Sequence, residues 1–122
     1  MASRSAIVTG AASGIGRAIA QRLCDDGFDV LAVDLAPADD GPGVPHAADL
    51  TTREGTRGAV DAAIEAFGRL DAVVPNAGFQ HVAPIAEFPE DRWDGLIAVL
   101  LTSPFLLARY GWEHLVKSGD GR

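Results

Sequence analysis

The stretch Thr9-Gly10-Ala11-Ala12-Ser13-Gly14-Ile15-Gly16 limits what this chain can fold into more than any other. Before it stands a short apolar run, Ala6-Ile7-Val8, which reads as a buried parallel strand. After it, Arg17 to Cys24 has helical spacing, with Ile15, Ala18, Ile19 and Leu23 on one side. A strand that turns through glycines into a helix presents N–H groups with no intrahelical acceptor. The helix dipole adds partial positive charge at the same place. Such a turn is an anion site by construction. Glycine supplies positive φ and lets a diphosphate approach the backbone with no Cβ in the way. The strand before and the helix after separate a dinucleotide turn from a chance cluster of glycines.

The next elements extend this reading. Asp26-Gly27 makes a turn and Phe28 to Val33 is a second β-rich run, completing a βαβ unit within about 30 residues. That run ends in Asp34, about 20 residues past the glycines, where an acid accepts hydrogen bonds from the adenosine ribose. The bland alternative is a capping or solvated surface aspartate. Asp34 would repel a 2′-phosphate, and neither Ser13 nor Leu35 offers a cation, so these residues favour NAD over NADP. Residues 36–45 carry three prolines and two glycines and cannot form a helix. Val44 to Ala48 predicts a brief third strand ending at Asp49-Leu50.

Thr51 or Thr52 can cap a helix reaching about Phe67, with Val60, Ala63, Ile64 and Phe67 facing inward. Gly68 closes it, and Leu70 to Val74 predicts a fourth buried strand. Pro75 should remove a ladder bond at the strand end. Phe79 to Pro89 reads as a loop and Pro89 to Lys117 as one long helix. Trp93, Leu96, Ile97, Leu100, Leu101 and Leu107 make that helix apolar nearly all round, which predicts burial on more than one side. Pro104 must kink or adjust it.

Composition bounds the remaining possibilities. At 122 residues the chain reads as a single domain, 1–122, and 48% hydrophobic content marks it as globular. A net charge of −7 with scattered cations argues against nucleic-acid binding. The lone cysteine, Cys24, lies on the apolar side of the first helix and reads as a small buried hydrophobe. Met1 to Ser5 lacks a leader's apolar region, and the most apolar stretch, Leu96 to Ala108, is short for a membrane span. The expectation is a soluble protein of a reducing compartment, the cytoplasm, with no membrane partner and no metal.

The spacing T-G-x-x-x-G-I-G resembles the cofactor turn of the short-chain dehydrogenase/reductase family, and later elements strengthen the resemblance. Asp49-Leu50 is similar to the family's Asp-hydrophobe element beside the adenine. Asn76-Ala77-Gly78 matches the family's Asn-Asn-Ala-Gly, with Pro75 departing from it. The stretch from Asn76 through Gln80-His81-Val82 to Trp93-Asp94 is similar to the D-3-hydroxybutyrate dehydrogenases. The resemblance implies an α/β, Rossmann-type, doubly wound parallel sheet, truncated after the long helix, with about four strands and three main helices. It implies NAD as cofactor, held by Gly10, Ser13, Gly14, Ile15, Gly16, Asp34, Asp49, Leu50, Asn76, Ala77, Gly78 and Val99. It makes Gln80 the ligand of a small hydroxy or keto acid, its amide donating to the carboxylate; an ordinary polar loop residue is the alternative.

The family's catalytic serine and Tyr-x-x-x-Lys are absent. The one tyrosine is Tyr110, with His114 four residues on, and the one lysine is Lys117. The position of the family's helix asparagine is Leu100. No catalytic residue is therefore expected in this chain, which reads as inactive alone. The rival readings are a non-catalytic nucleotide-binding or interaction module, and a member acting on another secondary alcohol. A fourth strand without its usual neighbour and a long apolar helix predict a homo-oligomer.

Overall fold

Alternate side chains of the first two strands point to opposite faces, and that alternation sorts the whole core. In the computed structural model, which describes residues 3–122, β1 (Ser5–Thr9) and β2 (Asp29–Asp34) are paired in parallel, with Ile7 opposite Leu31. Val8, Val30 and Ala32 face α1 (Gly14–Asp25), whereas Ile7, Leu31 and Val33 face the other helices. β3 (Val44–Ala47) pairs outside β2, and β4 (Ala72–Val74) pairs with β1 on the opposite side. The order β3-β2-β1-β4, all parallel and covered on both faces, is the doubly wound arrangement. Pro45 is tolerated because β3 is an edge strand.

Of the four residues expected on one side of α1, Ile19 and Leu23 pack inward and Ile15 and Ala18 do not. Ile15 is 74% exposed and Ala18 is exposed; Gly16 and Ala20 are buried, with Ile19, Leu23 and Cys24 packed behind them. The glycine decides this. A Cβ on Gly16 would lie 2.1 Å from the Gly10 carbonyl oxygen, so Gly16 must face the sheet. At 100° per residue its neighbour then turns outward. Cys24 is half-buried, and burial first, then the carboxylates of Asp25 and Asp29, raise its thiol pKa.

Residues 36–45 contain no helix, as their prolines dictate. α2 (Arg53–Phe67) is capped by Thr52, whose hydroxyl accepts from the Gly55 amide, and it ends at Gly68 with φ of 75°. Its buried residues Ala59, Val60 and Ala63 meet Leu107 and Leu115 of α4 (Ser103–Ser118) in the larger core. The Thr56 and Ser103 hydroxyls, both buried, join the two helices at 3.0 Å.

Three expectations around β4 are corrected. The strand is half-buried rather than buried, because its outer side has no helix or full strand against it. It stops before Pro75, so the proline removes no ladder bond; the Asn76 amide instead donates to Val74 at 2.9 Å. The outer edge is also partly paired. The Arg122 amide donates to Asp71 at 2.9 Å, and the Val73 amide donates to Arg122 at 2.8 Å.

The long helical run comprises α3 (Glu90–Ile97), a wide π turn (Ala98–Thr102) and α4. The π turn is the adjustment Pro104 requires. The proline has no N–H to give Leu100, and the Ser103 amide bonds the Ala98 carbonyl five residues back. One side of the run enters the core through Ser103, Leu106, Leu107, Gly111 and Leu115. The expected second burial is missing: Trp93, Leu100, Leu101, Phe105, Trp112 and Val116 are each more than half exposed. Among the described residues the sheet ends at β4, and no element lies over them. Glu90–Ser118 spans 29 residues and is long and apolar enough to cross a membrane, exceeding the short stretch read from sequence. Core helices of soluble proteins meet the same criterion; here 28% of the span is buried, on the side that packs against α2.

Candidate functional site

In an open parallel sheet, ligands bind beyond the carboxyl ends of the strands where the strand order reverses. Here that point lies beside β1, whose two neighbours lead the chain in opposite directions. The glycine turn leaves β1 at Gly10, with φ of 68°, and passes Gly14, with φ of 58°. A Cβ on Gly10 would meet the Ala77 Cα and the Asn76 side-chain nitrogen at 2.9 Å each, so this position excludes any side chain. Gly14 is the opposite case, with nothing within 4 Å of where a Cβ would stand. Ser13 is extended, exposed, and makes no capping bond with its hydroxyl. The first-turn amides of Gly14, Ile15 and Gly16 have no intrahelical acceptors. Ser13, Gly14 and Ile15 therefore form an open cradle suited to a diphosphate, while Gly16 holds the helix against the turn.

The strand ends build walls beside this cradle. Asp34 accepts from the Ala12 amide at 3.1 Å through one oxygen and from the Ala36 amide at 3.2 Å through the other. It thus fixes the glycine turn while each oxygen keeps further acceptor capacity. Asp49 is exposed, and one oxygen accepts from the Thr51 hydroxyl at 2.6 Å and the Thr51 amide at 3.0 Å. The hydroxyl first, then the amide, hold its pKa below the usual carboxylate value. The Asn76 amide nitrogen donates to the carbonyls of Thr9 at 3.1 Å and Gly10 at 3.4 Å, and the Ala77 amide donates to the Thr9 hydroxyl at 3.0 Å. Asn76 therefore ties two strand ends together and does not line the opening.

Beside the Gly10 end of the turn lies a cleft of about 290 Å³, with Asp34 and Leu35 on one wall, Asp49, Leu50 and Thr51 on a second, and Gly10, Ala77, Gly78 and Val99 on a third; Ser13 to Gly16 stand outside its lining. Gln80 is exposed in the loop after Gly78 and does not line the cleft. Beside it His81 meets Phe88 edge-on, ring centres 5.3 Å apart, which steadies the loop. Leu100 sits against Gly78, its Cδ2 2.9 Å from where a Cβ would stand, and presents hydrocarbon there. Tyr110 stacks under the Arg57 guanidinium at 4.0 Å and Lys117 is exposed in the last turn of α4; neither lines the cleft. Sequence reading gave Thr9 only as the start of the glycine turn and Thr51 only as a candidate helix cap; their bonds to Ala77 and Asp49 were not foreseen. A hydroxyl ending an apolar strand and an Asp-x-Thr spacing were the signals available.

This geometry agrees with relationships to known proteins. Residues 4–122 match the family model described as short chain dehydrogenase. The chain belongs to the short-chain dehydrogenase family. It is 38% identical to the uncharacterized oxidoreductase YxjF of Bacillus subtilis, over 100% of this chain and 52% of that protein. It is 35% identical to a D-beta-hydroxybutyrate dehydrogenase of Cupriavidus necator, over 98% of this chain and 50% of that protein. A metagenomic short-chain oxidoreductase, solved in complex with NADP, superposes with a TM-score of 0.88 at 31% identity, over 99% of this chain and 60% of that one. The chain spans about half the length of the curated relatives it matches.

Proposed function

We propose that this chain forms the dinucleotide-binding portion of an oxidoreductase that moves a hydride between a secondary alcohol and a nicotinamide cofactor. The observation that carries the reading is the open Gly14 cradle beside a cleft walled by Asp34 and Asp49. The free amides and Ser13 hydroxyl suit the diphosphate, Asp34 suits the adenosine ribose, and Leu50 and Val99 offer apolar surface to a planar base. Asp34 favours NAD over NADP by repelling a 2′-phosphate. When bound, the nicotinamide would supply the hydride acceptor; the residues named here would hold the diphosphate and adenosine part of the cofactor.

The substrate we assign is a small hydroxy acid of the D-3-hydroxybutyrate kind, with Gln80 receiving its carboxylate. The motif around Gln80 and the hydroxybutyrate-dehydrogenase relative support this choice. The second reading, a binding module without chemistry, rests on Leu100, which brings no polar atom to the cleft end beside Gly78. The two share one expectation, saturable NAD binding with no turnover of 3-hydroxybutyrate by the 122-residue chain. Calorimetric titration and an absorbance assay for NADH test it, and turnover by the purified chain would overturn it. The readings part in a longer form carrying the family's tyrosine and lysine. There the enzyme reading expects activity, and Gln80→Ala should raise KM while leaving kcat near its original value. We assign the exposed apolar side of α3 and α4 to a second copy of the chain, and sedimentation as a monomer would contradict that.

A further inference from the structure

The loop 36–45 joins two walls of the cleft, leaving from Asp34-Leu35 and returning through β3 to Asp49-Leu50. Among the described residues its one ion pair to the rest of the fold runs from Asp40 to Arg17 of α1, at 3.5 Å. Arg17 Nη1 also lies 3.7 Å from where a Cβ on Gly41 would stand, so the guanidinium rests on the turn closed by the Gly41 amide and the Ala38 carbonyl. Arg17 stands two residues past the open cradle, and Asp34 is bonded to the Ala12 amide just before it. The acid that would meet the adenosine ribose and a cation paired elsewhere therefore flank one loop.

We propose that Arg17 and Asp40 set how this cleft discriminates between the two nicotinamide dinucleotides, Asp40 holding in reserve the cation that a 2′-phosphate would recruit. The inference rests on the dinucleotide reading of the cleft. With the Asp40 side chain 87% exposed, the pair is solvent-screened and readily exchanged. A phosphate monoester carries nearly two negative charges and accepts charge-assisted bonds from a guanidinium better than one carboxylate does. Asp34 opposes NADP, and release of Arg17 from Asp40 offsets that opposition. The residues on this loop thus tune selectivity that the acid alone would make steep.

The test is the ratio of the NAD and NADP dissociation constants, measured by calorimetry at low salt on the full chain and four variants. Asp40→Asn should tighten NADP relative to NAD by about threefold. Asp39→Asn removes the same charge one residue away, where no ion pair is made among the described residues, and should shift the ratio much less. Arg17→Gln should weaken NADP and spare NAD. Asp40→Asn placed on Arg17→Gln should add little, since the carboxylate acts through the cation. Equal shifts from Asp39→Asn and Asp40→Asn, or a full gain in the double variant, would overturn the proposal and leave the cleft reading intact. Failure of the unaltered chain to bind either nucleotide would overturn both.

Discussion

The two ends of this sheet treat their carboxylates in opposite ways. At the amino ends of the strands, Asp71 is 2% exposed and bonded on all sides by neighbouring residues. The Ser5 amide binds it at 2.8 Å, Arg69 binds bidentately at 2.8 and 2.6 Å, and the Ser118 hydroxyl completes the set. Those bonds hold its pKa down to about 2, with Arg69 the largest cause. At the carboxyl ends, Asp34 and Asp49 are only part-committed, and the amides of the glycine turn face open space. One end is a finished knot joining β1, β4 and α4. The other leaves donors and acceptors open. Binding capacity lies where internal hydrogen bonding is left incomplete.

Substitutions can break that contrast. Gly16→Ala should have the largest effect, because its Cβ would collide with the Gly10 carbonyl. We expect a loss of about 3 kcal/mol in denaturant unfolding, with nucleotide binding falling alongside. Asp71→Ala should cost about 2 kcal/mol by leaving the Ser5 amide and Ser118 hydroxyl without their acceptor, yet leave nucleotide affinity unchanged. A change in affinity there would erase the separation between the two ends.

The same knot has a pH signature. The folded pKa of Asp71 lies below the unfolded value of about 3.9, so its contribution is complete above about pH 4. It is lost as pH falls from there toward 2. Urea midpoints measured across that window should drop in the unaltered chain and drop less in Asp71→Asn. The smallest expected change in stability is that of Gly14→Ala. Its cost is about 1 kcal/mol, from backbone strain alone, since no atom opposes the added methyl. Its nucleotide affinity should nevertheless fall far more than that of Asp71→Ala, because the methyl enters the space assigned to the diphosphate.

Much of this was legible in the sequence. The glycine turn, Asp34, the helix-free proline loop and the Thr52 cap follow from local rules, each decided by residues within a few positions of one another. What escaped was set by distant contacts. Ile15 shared a side with Ile19 and Leu23 by spacing, but Gly16, held against the Gly10 carbonyl, turns it outward. The apolar character of α3 and α4 suggested double burial, but the sheet has no layer beyond β4 to provide it. Asn76 shared a motif with the cleft residues, and its use as a brace between β1 and β4 depends on their adjacency. The Asp71 knot gathers residues 5, 69, 71 and 118, and no local pattern connects them.

An amide-resolved NMR titration of the chain with NAD tests the division between the two ends most directly. Saturable shifts at Ser13 to Gly16, Asp34, Asp49-Leu50 and Ala77-Gly78, with Ser5, Asp71 and Ser118 still, are the predicted result. Absence of saturable shifts at the glycine turn, or shifts confined to the Asp71 end, would contradict it.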